Sequence, residues 1–133
     1  MNPVFLDTVG LIAVWDKADQ WHDGAEPVFL NLVKSGRTIL TTTLILYECG
    51  NAAARRPYRT TVDDLRSWLA GKGWLVEPTP SDLDAAWADY RAASAGAAGI
   101  VDHVSFVVMR RLGITEAFTN DKHFQAAGFT TLF

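Results

Sequence analysis

Short apolar runs alternate along this chain with longer segments of helical period, and that alternation restricts the fold more than any other feature. "PVFLD" (Pro3 to Asp7), "TILTT" (Thr38 to Thr42), "GWLVEP" (Gly73 to Pro78), "EAFTN" (Glu116 to Asn120) and "FTTLF" (Phe129 to Phe133) have the look of strands. The first is a continuous apolar run, as a strand buried on both faces requires. Between them the sequence predicts helices. "GLIAVW" continues the first strand as a short helix, and "DKADQWHDG" reads as a loop. Glu26 to Lys34 follows, with Pro27 tolerable only in the first turn and Gly36 as the stop. Thr43 is the expected cap of a helix from Leu44 to about Arg56, halted by Pro57. Thr60 to Gly71, a Ser81-capped segment ending at Gly96, Ile100 to Leu112 closed by Gly113, and a short helix from Asp121 complete the series. Strands that alternate with helices pair in parallel and are covered on both faces. The expected fold class is therefore a three-layer α/β domain, with a mainly parallel central sheet of four to five strands. Its length of 133 residues suits one domain spanning 1–133.

Composition narrows the function. Apolar residues make up 49% and charged residues 20%, which is globular rather than disordered. A net charge of −3 argues against a general polyanion binder, although an enzyme that gathers several acids in one site can act on nucleic acid with such a total. Cys49 is alone, so no internal disulfide forms and a small core residue is its expected role. The N-terminal run carries Asp7 early and lacks a basic leader and cleavage site, so neither a signal peptide nor a membrane span is expected, and the cytoplasm is the default location.

The acids supply the chemistry. In a parallel α/β sheet each helix N-terminus lies at the edge where strands finish, and ligands bind at that edge. Asp7 ends the first strand, Asp121 follows the fourth, and Asp102 lies in the first turn of its helix. Glu48 is five residues into the helix after the second strand, about 7.5 Å along its axis and within reach of the same rim. Each residue alone has a bland reading, because aspartates commonly cap helices and a helix-surface glutamate is ordinary. Together they form a set of four carboxylates, three of them within apolar stretches. Such a set repels itself unless a cation is present. With no nearby cysteine or spaced histidine pair, an oxygen-only cluster suits Mg²⁺ or Mn²⁺ rather than zinc. Such ions activate water and neutralise a phosphodiester under attack. Thr8, Ser105 and Thr119 are placed to orient the carboxylates or to hold metal-bound water.

With these residues in view the chain resembles a known family. "VFLDT" with Asp7, "TTTLILYECGNA" with Glu48 and "IVDHVSFVVMRRLGITEAFTNDKHFQAAGF" with Asp102, Ser105, Thr119 and Asp121 are similar to the PIN-domain ribonucleases, in particular the VapC-type toxins of bacterial type II toxin–antitoxin pairs. The resemblance spans essentially the whole chain and is most specific from Asp102 to Phe129. It implies a PIN-like fold and Mg²⁺ or Mn²⁺ held by Asp7, Glu48, Asp102 and Asp121. It also implies internal cleavage of RNA, a homodimer, and an antitoxin partner that blocks the site. Val9, His103 and Pro27 depart from the family's pattern, and none of them removes a carboxylate.

Other constellations are weaker. A haloacid-dehalogenase-like phosphatase needs an acid where Val9 stands, a response-regulator receiver needs an acidic pair after the first strand, and "GKG" (Gly71 to Gly73) lacks a P-loop frame. His22, His103 and His123 share no ligand spacing, and surface or capping roles are expected for them. Trp68 and Trp87 fit helix-core positions, and core is also the expected place of Trp15 and Trp21. Arg55 to Arg59, Arg110, Arg111 and Lys122 are the basic residues best placed to meet phosphates. The alternative to a nuclease is a non-catalytic RNA- or protein-binding module with the same fold. A pure RNA binder would gain from losing negative charge beside its ligand, and here all four acids are present.

Overall fold

Val4, Phe5 and Leu6 are all buried, as a strand covered on both faces must be. They form β1 (Val4–Leu6) in the structure, a computed structural model that describes residues 2–133. Among the described residues the strands are β1, β2 (Ile39–Thr42), β3 (Leu75–Val76), β4 (Glu116–Phe118) and β5 (Thr130–Thr131). The helices are α1 (Thr8–Trp15), α2 (His22–Lys34), α3 (Thr43–Ala52), α4 (Arg59–Lys72), α5 (Pro80–Ala92), α6 (Ile100–Leu112) and α7 (Lys122–Ala126). Every paired strand is parallel, in the order β3-β2-β1-β4-β5. The fold is the three-layer α/β architecture that the alternating pattern predicts.

The order of strands has a consequence for the site. From β1 the chain steps outward to β2 and β3, then returns to place β4 on the other side of β1. Right-handed crossovers then send the helices of the two halves to opposite faces. In keeping with this, α1 packs on α2 and α3, and α3 on α4, while α6 packs on both α5 and α7. The loops leaving β1 and β4 diverge, and they open the crevice characteristic of a switch point in strand order. Phe5, Leu6, Leu11, Ile39, Ile45, Met109, Phe118 and Phe124 fill the layers on either side of the sheet.

Local boundaries differ from the sequence expectation where capping chemistry overrides periodicity. The cap of α3 is Thr42, not Thr43. Its extended backbone (φ −93°, ψ 159°) is the conformation a cap needs, and its hydroxyl accepts the Ile45 N–H at 3.2 Å. The cap of α5 is Thr79, not Ser81, because Pro80 fits the first helical position where no N–H is required. Thr79 and Asp82 close a reciprocal capping box at 3.0 and 2.9 Å. Helix α2 starts at His22, four residues before the expected start, so Pro27 lies inside it and not in its first turn. Proline cannot supply the N–H that the Asp23 carbonyl would ordinarily receive, and both residues face solvent, where water can serve.

Trp68 and Trp87 are not core residues: they are 39% and 54% exposed. Helix α5 turns Asp82 and Ala86 toward α6, so position 87, a hundred degrees further round, faces out. Trp21 is likewise exposed, whereas Trp15 packs against the core beside Tyr58.

Gly10 decides how closely α1 approaches β4. A Cβ at this position would sit 2.2 Å from the Phe118 carbonyl oxygen and 2.6 Å from its ring. Gly10→Ala should therefore destabilise the protein by about 1–3 kcal/mol through overpacking. Gly50→Ala, on α3 with nothing within 4 Å of the added methyl, should be neutral or stabilising by up to about 1 kcal/mol. Urea denaturation of the two variants checks both; equal effects would show that the close approach at Gly10 is unimportant.

Candidate metal centre

Asp7 leaves β1 and occupies the cap position of α1, yet its side chain makes no capping bond. Its carboxylate turns inward instead. Asp7 is 2% exposed, and its Oδ2 accepts the Thr119 hydroxyl at 2.8 Å. The same Thr119 oxygen accepts the Asp121 N–H at 3.1 Å. One hydroxyl thus ties the ends of β1 and β4 across the switch point, using its single proton on the carboxylate and a lone pair on the backbone.

Asp121 caps α7, its Oδ1 accepting the His123 N–H at 2.9 Å. Asp102 stands in the first turn of α6, half-buried. Asp102, Asp121 and His123 each offer one ligand atom, and these three atoms lie within 4.8 Å of one another. Glu48 reaches the rim from the second turn of α3, where it is exposed and its Oε1 accepts the Thr8 hydroxyl. Thr8, adjacent to Asp7, therefore links the outermost acid to the innermost. Ser105 is buried and donates to the Val101 carbonyl of its own helix at 3.1 Å. Its proton is committed there, leaving only lone pairs for any other contact.

The energetics confirm that these acids act on one another. Asp7 is pushed up from 3.8 to about 7, first by burial, with Asp102 and Asp121 adding repulsion and the Thr119 bond opposing. Asp102 is raised to about 6, again first by burial and then by Asp121 and Glu48, with His123 acting in the opposite sense. All four carboxylates are therefore electrostatically connected. Protons or a metal cation can relieve such a set, and the donors present fit a divalent ion. Cys49 beside them is pushed up to about 12, chiefly by burial, which leaves an inert thiol.

An imidazole also stands beside the acids: His123, two residues past the capping Asp121, lies in the first turn of α7 with its side chain partly exposed. His22 instead bonds the Ala13 carbonyl at 2.8 Å, and His103 sits edge-on between Tyr90 and Phe106.

A groove of about 510 Å³ adjoins the cluster, lined by His103, Phe106, Arg110, His123, Asp89 and Ala126 among others. Arg110 is the cation without a carboxylate partner that it offers, one terminal nitrogen donating to the Ala127 carbonyl at 3.0 Å and the guanidinium lying over the Phe106 and Phe129 rings. Arg111 is not free for phosphate, because both its Nε and one terminal nitrogen hold Asp82, at 2.8 and 2.7 Å.

No protein-family model matches the sequence, and no curated protein matches it. Solved structures do. VapC20 from Mycobacterium tuberculosis, described as a Sarcin-Ricin loop cleaving toxin, superposes with a TM-score of 0.80 at 23% identity, covering 96% of each chain. FitAcB from Neisseria gonorrhoeae gives 0.61 at 15% identity over 98% of this chain and 96% of the other. VapBC2 from Rickettsia felis, bound to a DNA fragment from its promoter, gives 0.61 at 13% identity over 97% and 96%. The likeness is one of fold, and the fold is the PIN-like one that the sequence resemblance implies.

The raised Asp7 sets a pH dependence. In the metal-free folded chain it keeps its proton to about pH 7, whereas unfolded it releases it near 3.8. The folded state therefore binds more protons across that interval, and stability falls as pH rises through it, by roughly 4 kcal/mol in total for a shift of this size. Between pH 5 and 8 the thermal midpoint of metal-free protein should drop. Asp7→Asn should flatten the slope and be the more stable form at pH 8. A wild-type midpoint that climbs over this range would contradict the assignment.

Proposed function

We propose that this chain is a divalent-metal-dependent endoribonuclease and the toxin of a type II toxin–antitoxin pair. The observation that carries the reading is a set of acids from separate segments: Asp102 and Asp121 offer ligand atoms close to one another, both act on buried Asp7, and Glu48 acts on Asp102. Mg²⁺ or Mn²⁺ held by these acids would supply activated water and neutralise charge on the phosphodiester. The chain's own residues divide the remaining work. Asp7, anchored by Thr119, is the deep ligand. Asp102 and Asp121 face one another across the mouth, and Glu48, fixed by Thr8, closes the exposed side. The groove beside His123 admits the RNA strand, with Arg110 offering a positive charge to its phosphates. The likeness to a structure described as a Sarcin-Ricin loop cleaving toxin, and to one containing a VapBC pair, supports both the RNA substrate and the protein partner.

An antitoxin fits the same physics. A rim of carboxylates without its metal is a receptor for a cationic side chain, and an arginine can pair with carboxylates in two-point fashion. The resemblance also implies a homodimer. Among the described residues no helix is long and apolar enough to cross a membrane.

Cleavage of RNA should need added Mg²⁺ or Mn²⁺ and vanish in EDTA. Losing a residue that merely supports a metal ligand costs about 10–100-fold, so Asp7→Asn, Asp102→Asn and Asp121→Asn should each cost more than about a hundredfold, and Ser105→Ala less. Circular dichroism on each variant separates lost chemistry from lost folding. Cleavage that survives thorough chelation would sink the metal-dependent reading.

Expression of the chain in a bacterial host should arrest growth, and Asp7→Asn should not. Co-expression of the neighbouring reading frame should rescue growth. A harmless wild type together with a neighbour that fails to bind would remove the toxin reading and leave a nuclease or a binding module.

A further inference from the structure

Two observations at His123 are not explained by the four acids. Its Nδ1 is buried and has no hydrogen-bond partner. The nearest carboxylate oxygen recorded for it, Asp121 Oδ1, is 3.8 Å away, too far for a hydrogen bond. An unmade bond at a buried polar nitrogen is ordinarily costly. The residue is nevertheless held in place, because its backbone N–H is tied to the Asp121 carboxylate and α7 is anchored by buried Phe124. Second, the imidazole shares with Asp102 and Asp121 a set of ligand atoms no more than 4.8 Å apart. Donors on opposite sides of a small divalent ion stand about 4.2 Å apart, and adjacent ones closer. A displacement of less than about 1 Å would bring all three onto one ion.

Resting on the metal-dependent reading above, we propose that His123 is itself a ligand of the ion held by Asp102 and Asp121, and that this mixed nitrogen–oxygen set selects Mn²⁺ over Mg²⁺. Mg²⁺ dehydrates reluctantly and takes oxygen donors almost exclusively. Imidazole nitrogen favours the transition ions, so one such ligand shifts the preference without changing the charge of the site. His123 is the one histidine placed to do this among the described residues. His22 is occupied by the Ala13 carbonyl and Glu26; His103 also has a buried ring nitrogen, Nε2, without a partner, but it is packed between two aromatic rings and shares no close set of ligand atoms with the acids.

The test is pulsed electron paramagnetic resonance on the full chain loaded with Mn²⁺, together with calorimetric titration by Mn²⁺ and by Mg²⁺, neither of which reads activity. Wild type should show modulation from an imidazole ¹⁴N, converted to the ¹⁵N pattern when only histidine is labelled. His103→Ala should retain it, and His123→Ala and His123→Gln should lose it. His123→Ala should weaken Mn²⁺ binding about tenfold or more and leave Mg²⁺ within about threefold. The labelled wild type decides the question whether or not a variant folds. Stoichiometric Mn²⁺ without histidine nitrogen modulation, or modulation that persists in folded His123→Ala, overturns the role of His123 and leaves the acidic metal centre standing. Failure of wild type to bind Mn²⁺ at all overturns the metal centre and this inference with it.

Discussion

Burial of carboxylates in a poorly solvated crevice, with repulsion among them added, is the constraint on which the site of this molecule depends. Asp7 is nearly inaccessible to water, and two other aspartates act on it. Burying one such charge without compensation is among the most costly substitutions a core can contain. The fold meets part of that cost with neutral donors, the Thr119 hydroxyl first and the Thr8 backbone after it, and leaves the balance to protons or to a cation. Binding of a cation at the rim would relieve the repulsion. This is the condition under which ligand binding and folding stability become linked.

The sheet topology makes such a cluster possible. Because β1 and β4 are neighbours while their outgoing chains part, Asp7 and Asp121 emerge side by side with open space above them. The absence of a side chain at Gly10 lets α1 begin directly against the Phe118 carbonyl, which keeps Asp7 and Thr8 at the mouth of the crevice. Helix α6 then presents Asp102 from its first turn, where the helix dipole favours negative charge, and α3 presents Glu48 from its second turn.

A satisfied ion pair lies elsewhere in the fold. Asp82 is buried, takes part in the capping box of α5, and receives a two-point ion pair from Arg111 of α6, so its carboxyl lies below the usual range, chiefly through the arginine. This clamp joins α5 to the helix that carries Asp102. A charge-satisfied pair thus fixes the scaffold on which the unsatisfied acids are displayed. Separating the two functions lets the rim stay electrostatically frustrated without unfolding the domain.

Much of this was legible in the residue order. The alternation of apolar runs with helical segments, the limits of α6 between Gly99 and Gly113, and the placement of acids just past strand ends all follow from local periodicity and backbone preference. Both act over a few residues and need no knowledge of distant contacts. The same local rules place Asp7, Glu48, Asp102 and Asp121 toward one edge; in the structure Asp102 and Asp121 offer ligand atoms close together, both act on Asp7, and Glu48 acts on Asp102. What tertiary structure alone decided concerns partners far apart in sequence. The Thr119 hydroxyl holds Asp7 across 112 positions, Asp82 claims Arg111, and Phe118 demands a glycine at position 10. The imidazole of His123 stands among carboxylates because α7 is docked against α6. Hydrogen-bond satisfaction, burial and close approach depend on which surfaces finally meet, and no pattern within a single segment encodes that meeting.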